Sequence, residues 1–405
     1  MRITSVGGGP AGLYAAVLLA QQGHDVTVVE RNPAGVTHGW GVVFWEPLLA
    51  SLRESDPPSA AQIADAAFAW NGQDVDVEGR GRVARPSGGY SISRQRLLDI
   101  LTARAQELGV RTEFERGVAP GDDLDADLDA DLVIAADGVG SAHRRALADD
   151  LAPTVDVGTN KYVWLATTKV YTSFLFAFVR SSAGWLWCHA YGYDADHSTF
   201  IVECSPETWR GLGLDRMGAA ESRELLERLF ARHLDGHPLV GLPTDPEAPL
   251  PWLEFRTLHC ERWWCGRTVL AGDAAHTTHF AIGSGTTLAL GDAIALGRAL
   301  AGVTDAAGLP AALEQYQAER QAALAPSRRD ARNSARWLED LERYIDTDVD
   351  SFATLLHRRC SSLLAHLPPT IYVKAREVAE RSGAARRVWS QASALRRSAL
   401  VRRGS

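Results

Sequence analysis

Lysine is almost missing from this 405-residue chain. Lys161, Lys169 and Lys374 are the three it has, and arginine supplies the rest of the positive charge. Chemistry that needs an ammonium group upstream of Lys161 is thereby excluded. Cysteine is also scarce: Cys188, Cys204, Cys260, Cys265 and Cys360 make five, an odd number without regular spacing, which argues against a disulfide framework. Cys260 and Cys265 are the nearest pair. No second pair or histidine set follows them at metal-ligand spacing, so they read as buried small residues and no metal is expected. No apolar window reaches the length of a membrane span. The net charge is -8, so there is no general attraction to nucleic acid or to an anionic membrane. This cysteine usage suits a reducing cytoplasm, the expected location. There is no internal repeat.

What is present is an ordinary soluble composition, 46% hydrophobic and 23% charged, in a chain long enough for two interlocked domains. Arg2–Val6 reads as a buried strand, Gly7–Gly12 as a turn, the apolar run after it as a helix ending near Gly23, and Asp25–Val29 as a second strand. The run Ala11–Ala20 opens on Gly-Pro and has no cationic lead beyond Arg2, so it reads as that helix and not as a cleaved leader. A loop rich in Gly and Trp follows at Gly35–Trp45, then a helix around Pro47–Arg53. Residues Ala67–Ser93 alternate and read as short antiparallel strands, Arg94–Leu108 as an amphipathic helix, Asp122–Asp131 as a turn region, and Leu132–Ala136 as a strand. From Lys161 to Glu203 the period is two: Phe174, Phe176 and Phe178 share one face, and Trp185, Trp187 and His189 share another, as in a half-buried antiparallel sheet. Ser205–Leu234 reads as mostly helical. Thr268–Leu270 returns as a strand, and helix follows from Leu288. The basic end (Arg381, Arg386, Arg387, Arg396, Arg397, Arg402, Arg403) reads as a solvated helix face, with a patch for an anionic substrate handle as the alternative.

Three motifs carry chemistry. Gly7-Gly8-Gly9-Pro10-Ala11-Gly12 matches G-x-G-x-x-G between a strand and a helix. Gly7 allows the tight turn, Gly9 lets the backbone approach a pyrophosphate, and Gly12 permits close helix–strand packing. The helix start offers free N–H groups and a positive dipole end. Glu30 stands 18 residues after Gly12, close to the roughly 20 expected for a ribose-hydroxyl acceptor. The second motif is Gly272-Asp273-Ala274-Ala275-His276, followed by Ile282-Gly283-Ser284-Gly285. A carboxylate at a strand end can hold a ribityl chain. A glycine turn opening a helix points N–H donors at the flavin edge where negative charge gathers on reduction. His276 and His279 are acid–base candidates, or else His276 bonds locally and His279 packs against flavin or loop. The third motif, Asp137-Gly138 after a buried strand, is by itself no more than a turn.

In this order the three segments resemble the group A flavoprotein monooxygenases, the para-hydroxybenzoate hydroxylase-like aromatic hydroxylases. The resemblance spans roughly residues 1–335. The strings GWGVVF (39–44), GGYSISRQRLLDIL (88–101), KYVWLATTKVYTSFLFAF (161–178), TFIVECSPETWRGLGLD (199–215) and HTTHFAIGSGTTLALGDAIAL (276–296) are most similar to a narrower branch. That branch includes salicylyl-CoA 5-hydroxylase, 2-aminobenzoyl-CoA monooxygenase and the violacein-pathway hydroxylase. Phe280 departs from the proline of many group A members, and Gly291 from a frequent acid.

The resemblance implies an α/β fold: a Rossmann-like FAD-binding domain (residues 1–66, 94–158 and 262–335) interrupted by a substrate domain with a mostly antiparallel sheet (67–93 and 159–261), plus a C-terminal helical region (336–405). It implies FAD contacts at Gly7, Gly9, Pro10, Ala11, Gly12, Glu30, Arg31, Arg94, Asp137, Gly138, Asp273, Ile282, Gly283 and Gly285. NADH or NADPH would be a transient reductant and dioxygen a co-substrate, with hydroxylation of an electron-rich ring through a flavin C(4a)-hydroperoxide. The implied partner is a small aromatic substrate, an aromatic acyl-CoA or an indole-type biosynthetic intermediate. Trp40, Trp164, Phe176, Trp187 and His279 are the pocket candidates. His279 is the catalytic candidate. The 12 tryptophans suit a flat ligand or an ordinary sheet core. Two alternatives stand beside this reading. One is a non-hydroxylating oxidase or dehydrogenase. The other is a flavin-dependent halogenase, suggested by Trp185-Leu186-Trp187 but opposed by the missing Ile-Pro and by the lack of any lysine before Lys161.

Overall fold

The computed structural model describes residues 1–37, 39–118, 130–241, 248–279, 283 and 285–374. Two sheets organise the chain. The first has six strands in the order Trp264–Cys265, Thr268–Leu270, Leu132–Ala135, Arg2–Val6, Asp25–Val29, Arg111–Glu113. All neighbours are parallel except the first pair. Apart from exposed Arg2, the strands Arg2–Val6, Leu132–Ala135 and Thr268–Leu270 are buried throughout, as a sheet covered on both faces requires. The helix Pro10–Gln21 covers it together with Arg94–Glu107 and Gly285–Ala299. Residues Pro10 to Leu19 are all buried, so this helix has no solvent face and shows no amphipathic stripe. Its N-cap is Gly9, with no side-chain cap, which leaves the first N–H groups available.

The second sheet has nine strands. Its path runs Leu239–Val240, Pro153–Thr167, Ser198–Cys204, Gly184–Gly192, Phe174–Ser181, Phe68–Val77, Gly81–Ser93, Gly41–Phe44, and Leu253–Cys260 pairs off the path with Pro153–Thr167. Neighbours are antiparallel except Phe68–Val77 beside Phe174–Ser181. Four expectations are corrected here. The segment Gly35–Trp45 is not all loop, because Gly41–Phe44 is the edge strand of this sheet. Residues Ala67–Ser93 form two long strands, of 10 and 13 residues, not several short ones. Pro86 is tolerated within the second because it falls at a register shift between the Asn71 and Gln73 pairs. The Phe and Trp runs share one face, not two, because Phe178 pairs with Trp187 and Phe176 with His189.

The sheet is also not half-buried. One face packs on Ala219, Leu226, Phe230 and Leu234. On the other, Val75, Val77, Phe176, Phe178 and Trp187 meet Trp337, Leu338, Leu341, Tyr344, Ile345, Phe352 and Leu355. Those residues come from the end of the 31-residue helix Leu309–Glu339, from Leu341 at the cap of the helix Glu342–Ile345, and from that helix and Val349–His357. The segment beyond the family resemblance therefore covers the middle of the sheet. The Asp122–Asp131 turn falls mostly outside the described residues, as does the whole basic end from Arg381. Among the described residues no helix is long and apolar enough to cross a membrane.

Phe352 is fully buried and meets the Phe178 ring edge-on at 4.8 Å. Phe352→Ala should cost about 3–5 kcal/mol. Leu363, 60% exposed, should tolerate alanine within about 0.5 kcal/mol. Urea unfolding of the two variants reads the difference, and equal midpoints would refute the covering role.

Candidate active site

The first glycine cluster is locked by backbone. Gly7 has φ +111°, and a Cβ there would lie 2.3 Å from the Ala136 carbonyl oxygen. A Cβ on Gly12 would lie 2.2 Å from the Gly7 oxygen. Gly9 is different: its φ is -80° and a Cβ would meet nothing within 4 Å. The turn thus folds onto the Ala136 strand end and opens toward empty space at Gly9, the cradle a diphosphate needs. Glu30 is tied into this turn. Its Oε2 accepts the Gly8 N–H at 2.7 Å, and its Oε1 accepts the Asn32 N–H at 2.8 Å. Oε1 also accepts the Asn32 side-chain amide at 2.8 Å, so Oε2 is the oxygen that keeps lone-pair capacity for a ribose hydroxyl. Arg31, next in sequence, is exposed.

Asp137 organises its own loop. Its Oδ2 accepts the Ala142 N–H at 2.8 Å and lies 3.0 Å from His143 Nδ1, at the start of the short helix Ala142–Ala146. Burial opposes ionisation, but His143 and Ser141 hold the carboxyl below its usual range. Oδ1 is buried without a partner among the described residues. Gly138, at φ +78°, lines the cavity beside it. The same loop sends Arg144 Nη1 to the Ala274 carbonyl at 2.9 Å, which joins the second and third motifs.

Gly272, at φ +61°, turns the chain after Thr268–Leu270 so tightly that a Cβ would sit 2.9 Å from Ala11 Cβ. The two distant halves of the site meet at this contact. Asp273 opens into a cavity that the protein surrounds, so its side chain is exposed to that cavity and still deep in the fold. Burial pushes its carboxyl up, against His276 and Arg94. Arg94 donates from Nε to Thr37 Oγ1 at 3.0 Å, and burial lowers its guanidinium while Asp273 opposes this. Behind the turn Asp292, fully buried, accepts the Gly272 N–H at 2.8 Å, lies 2.8 Å from His276 Nε2, and receives Arg320 Nε at 2.7 Å. Burial opposes its charge, yet His276 and Arg320 hold it below the usual range. His276, stacked on Trp263, is thus bonded to a carboxylate 16 residues away. Gly283 seats against Val43 and Trp45, where a Cβ would come within 2.5 Å of Val43 Cγ2. Ile282 lies outside the described residues.

These parts wall one cavity of about 1110 Å³, larger than the roughly 300–1,000 Å³ of a small-molecule site, as a pocket shared by a dinucleotide and a second ligand requires. Gly9, Pro10, Ala11, Arg94, Gly138, Asp273, Gly283 and Gly285 line it from the first sheet's side. Trp164 and Phe176 line it from the second sheet, with His189 and Tyr191 beside them. The other three aromatic-pocket candidates stand elsewhere. Trp40 donates from Nε1 to the Trp164 carbonyl at 3.2 Å. Trp187 is 2% exposed, stacked on Phe178 in the core that the C-terminal helices complete. His279 is buried against the Phe255 ring, 4.4 Å away, and burial together with Arg359 pushes it down to about 3, so it stays neutral. Sequence reasoning missed His189, although its place on a strand face was readable. It missed His357, Arg359 and Cys360 because they come from the unmatched C-terminal segment.

The glycine geometry separates fold from cofactor. Gly7→Ala should destabilise the protein by at least about 1–3 kcal/mol through its forbidden backbone conformation. Gly9→Ala should melt like the wild type without cofactor and retain little FAD after gel filtration. Wild-type flavin content in Gly9→Ala would sink the cradle. Asp292→Asn should cost about 3–5 kcal/mol by stranding Arg320 and His276. Because the folded Asp292 carboxyl titrates below its unfolded value, its contribution is present above pH ~4 and is lost as pH falls. Urea midpoints from pH 7 to pH 3 should therefore converge for wild type and variant.

Comparison with known proteins agrees with this geometry. The model of the FAD binding domain family matches residues 2–327. Salicyloyl-CoA 5-hydroxylase of a Streptomyces species is 35% identical over 355 residues, 85% of this chain and 66% of its own length. The 3-hydroxy-4-methyl-anthranilyl-aryl-carrier-protein 5-monooxygenase of Streptosporangium sibiricum is 34% identical, over 85% of this chain and 93% of its own. Protodeoxyviolaceinate monooxygenase of Chromobacterium violaceum is 32% identical, over 90% and 95%. Among solved structures, 2-methyl-3-hydroxypyridine-5-carboxylic acid oxygenase superposes with a TM-score of 0.66 at 19% identity, over 88% of this chain and 96% of its own. The chain belongs to the FAD binding domain family, among the FAD-dependent aromatic monooxygenases.

Proposed function

We propose that this protein uses FAD, NADH or NADPH, and dioxygen to hydroxylate an electron-rich aromatic ring carried as an acyl thioester. The observation that carries the reading is the continuity of the cavity from the glycine cradle and Asp273 onto an aromatic wall of Trp164, Phe176, His189 and Tyr191. FAD would lie along Gly7 to Gly12, Glu30, Arg31, Arg94, Asp137, Gly138, Asp273, Gly283 and Gly285. Bound FAD supplies the electron transfer and oxygen activation that side chains lack. The chain's own residues bind, orient and keep dry. Flat rings on the second sheet hold a flat substrate by stacking and apolar contact. The buried Asp137 and Asp292 networks keep the loops around the site in one geometry. His189, pushed well down by burial, stays neutral and adds no charge beside the ring. The residue division given by the resemblance remains part of this proposal, as does a cytoplasmic location, which suits five free thiols and a nicotinamide supply.

The thioester is favoured by the cavity mouth. Val155 and Leu253 are about half exposed (50% and 49%) on the paired strands at its rim, beside Trp252, Arg256 and Lys161. Lys161 is paired with Glu254, which also lines the cavity, so the apolar rim leaves Arg256 to meet a pantetheine arm ending in phosphate. The names of two relatives, one a CoA thioester enzyme and one acting on a carrier-bound ring, support this handle, and the third supports an indole-type ring as the second reading.

NADH and NADPH oxidation by the FAD-loaded protein should rise with salicyl-CoA or 2-aminobenzoyl-CoA and give a product heavier by one oxygen atom. Tryptophan and simple indoles complete the panel. Arg256→Glu should raise KM for the thioesters about tenfold and leave free aromatic acids unchanged. Asp273→Ala should lose flavin. NAD(P)H oxidation that proceeds without an oxygenated product would favour the oxidase or dehydrogenase alternative.

A further inference from the structure

Behind the aromatic wall lies a second cavity of about 10 Å³, the size of one water molecule, bounded by Asn160, Tyr162, Glu203, Phe255, His279 and Glu339. Tyr162 lines both this cavity and the large one. Strand register puts Tyr162, Glu203 and Trp187 side by side on one face of the second sheet. Glu203 is 1% exposed. Its Oε1 accepts the Asn160 amide at 2.8 Å, while Oε2 is buried without a hydrogen-bond partner at normal geometry among the described residues. A bare carboxylate oxygen in the interior is costly unless water or a proton meets it, and the cavity has room for that water. Glu339, half-buried at the end of helix Leu309–Glu339, closes the far side and accepts the Thr159 N–H at 2.8 Å.

We propose that Tyr162, the water-sized cavity, Glu203 and Glu339 form the path by which a proton leaves the active-site cavity for solvent. The inference rests on the hydroxylase reading. Hydroxylation replaces a ring C–H by C–O. The ring carbon gives up its hydrogen as a proton, and the C–H electron pair stays in the ring to restore aromaticity. Tyr162 accepts that proton at its oxygen while its own proton passes to the water. The water in turn protonates the Glu203 carboxylate. Glu203 then releases the proton toward Glu339 and bulk water, and each group ends as it began.

The electrostatics fit this task. Burial pushes Glu203 up to about 7, opposed by the Asn160 amide and the Trp187 indole N–H, with Glu339 adding to the rise and Arg359 opposing it. Burial with Glu203 pushes the Tyr162 phenol up to about 12, so it carries its proton when the cycle starts. His279 stays neutral. Glu203 is therefore an acceptor above neutral pH and a filled site below it.

Infrared difference spectra of the FAD-loaded protein, taken from pH 5 to pH 9, should show a carboxylic acid C=O band that disappears near pH 7. Glu203→Gln should lack it. With a substrate from the aromatic panel, Glu203→Gln and Tyr162→Phe should each lower kcat about 10- to 100-fold with little change in KM. The wild-type fall in kcat below neutral pH should vanish in Glu203→Gln. The path can also be read without turnover. After a pH jump the Glu203 band should relax about tenfold more slowly in Glu339→Gln. A missing titration, an unchanged relaxation, or a wild-type pH profile in Glu203→Gln would overturn the path. If no aromatic compound is turned over while the band titrates and slows as stated, the hydroxylase reading fails and the conduit stands.

Discussion

One buried carboxylate holds the active site in place. Asp292 receives the Gly272 N–H, the His276 imidazole and the Arg320 guanidinium, and so ties the turn after strand Thr268–Leu270 to the helices Gly285–Ala299 and Leu309–Glu339. Removing a charge from water is expensive, and this one is tolerated because three donors meet it inside the protein. The constraint reaches outward from there. With the Gly272 turn held, Asp273 points into the cavity, Gly272 presses on Ala11, and Ala274 is in place to receive Arg144. Gly291 helps in a way its lack of side chain allows: a Cβ there would come within 3.1 Å of Arg320 Nη2.

The site then follows from two sheets that meet at one cavity. The parallel sheet brings a helix start and two strand ends together, which concentrates the N–H donors and glycine turns that suit an anionic cofactor. The nine-stranded sheet brings stiff aromatic side chains to the other wall. It can be aromatic on one side and aliphatic on the other because both faces are buried, the first under C-terminal helices and cavity, the second under Ala219–Leu229 and its neighbours. The polar exceptions on the aromatic face are few. Glu203 and His189 are placed where the cavity or the C-terminal helices reach them, and those positions give the interior its means of handling protons.

Much of this was readable residue by residue. The glycine cluster, the Asp137-Gly138 turn and Gly272 each impose a local backbone requirement, which the positive φ of Gly7, Gly138 and Gly272 meets. The strands Arg2–Val6, Asp25–Val29 and Thr268–Leu270 were legible because runs of apolar residues bounded by glycine can form little else. Gly41–Phe44 was not legible. Four apolar residues inside a Gly- and Trp-rich stretch become a strand when Tyr90 to Ser93 offer a partner edge. The same limit hid the shared face of Phe176, Phe178, Trp187 and His189. Period two places residues on alternate sides of one strand, while the register between strands decides which sides coincide.

The sequence by itself determined the cofactor class and the order of the motifs that hold it, because glycine turns, strand ends and helix starts are local structures with local causes. Tertiary structure alone decided which aromatic residues face the cavity. Trp164 and Phe176 reach the cavity, whereas Trp187, equally aromatic and on an equally regular strand, is buried in the core that the C-terminal helices complete. It also brought Arg359 and Glu339 from an unmatched segment to Glu203. Burial and proximity are sums over the whole packed chain, and no window of sequence contains the partners that fix them.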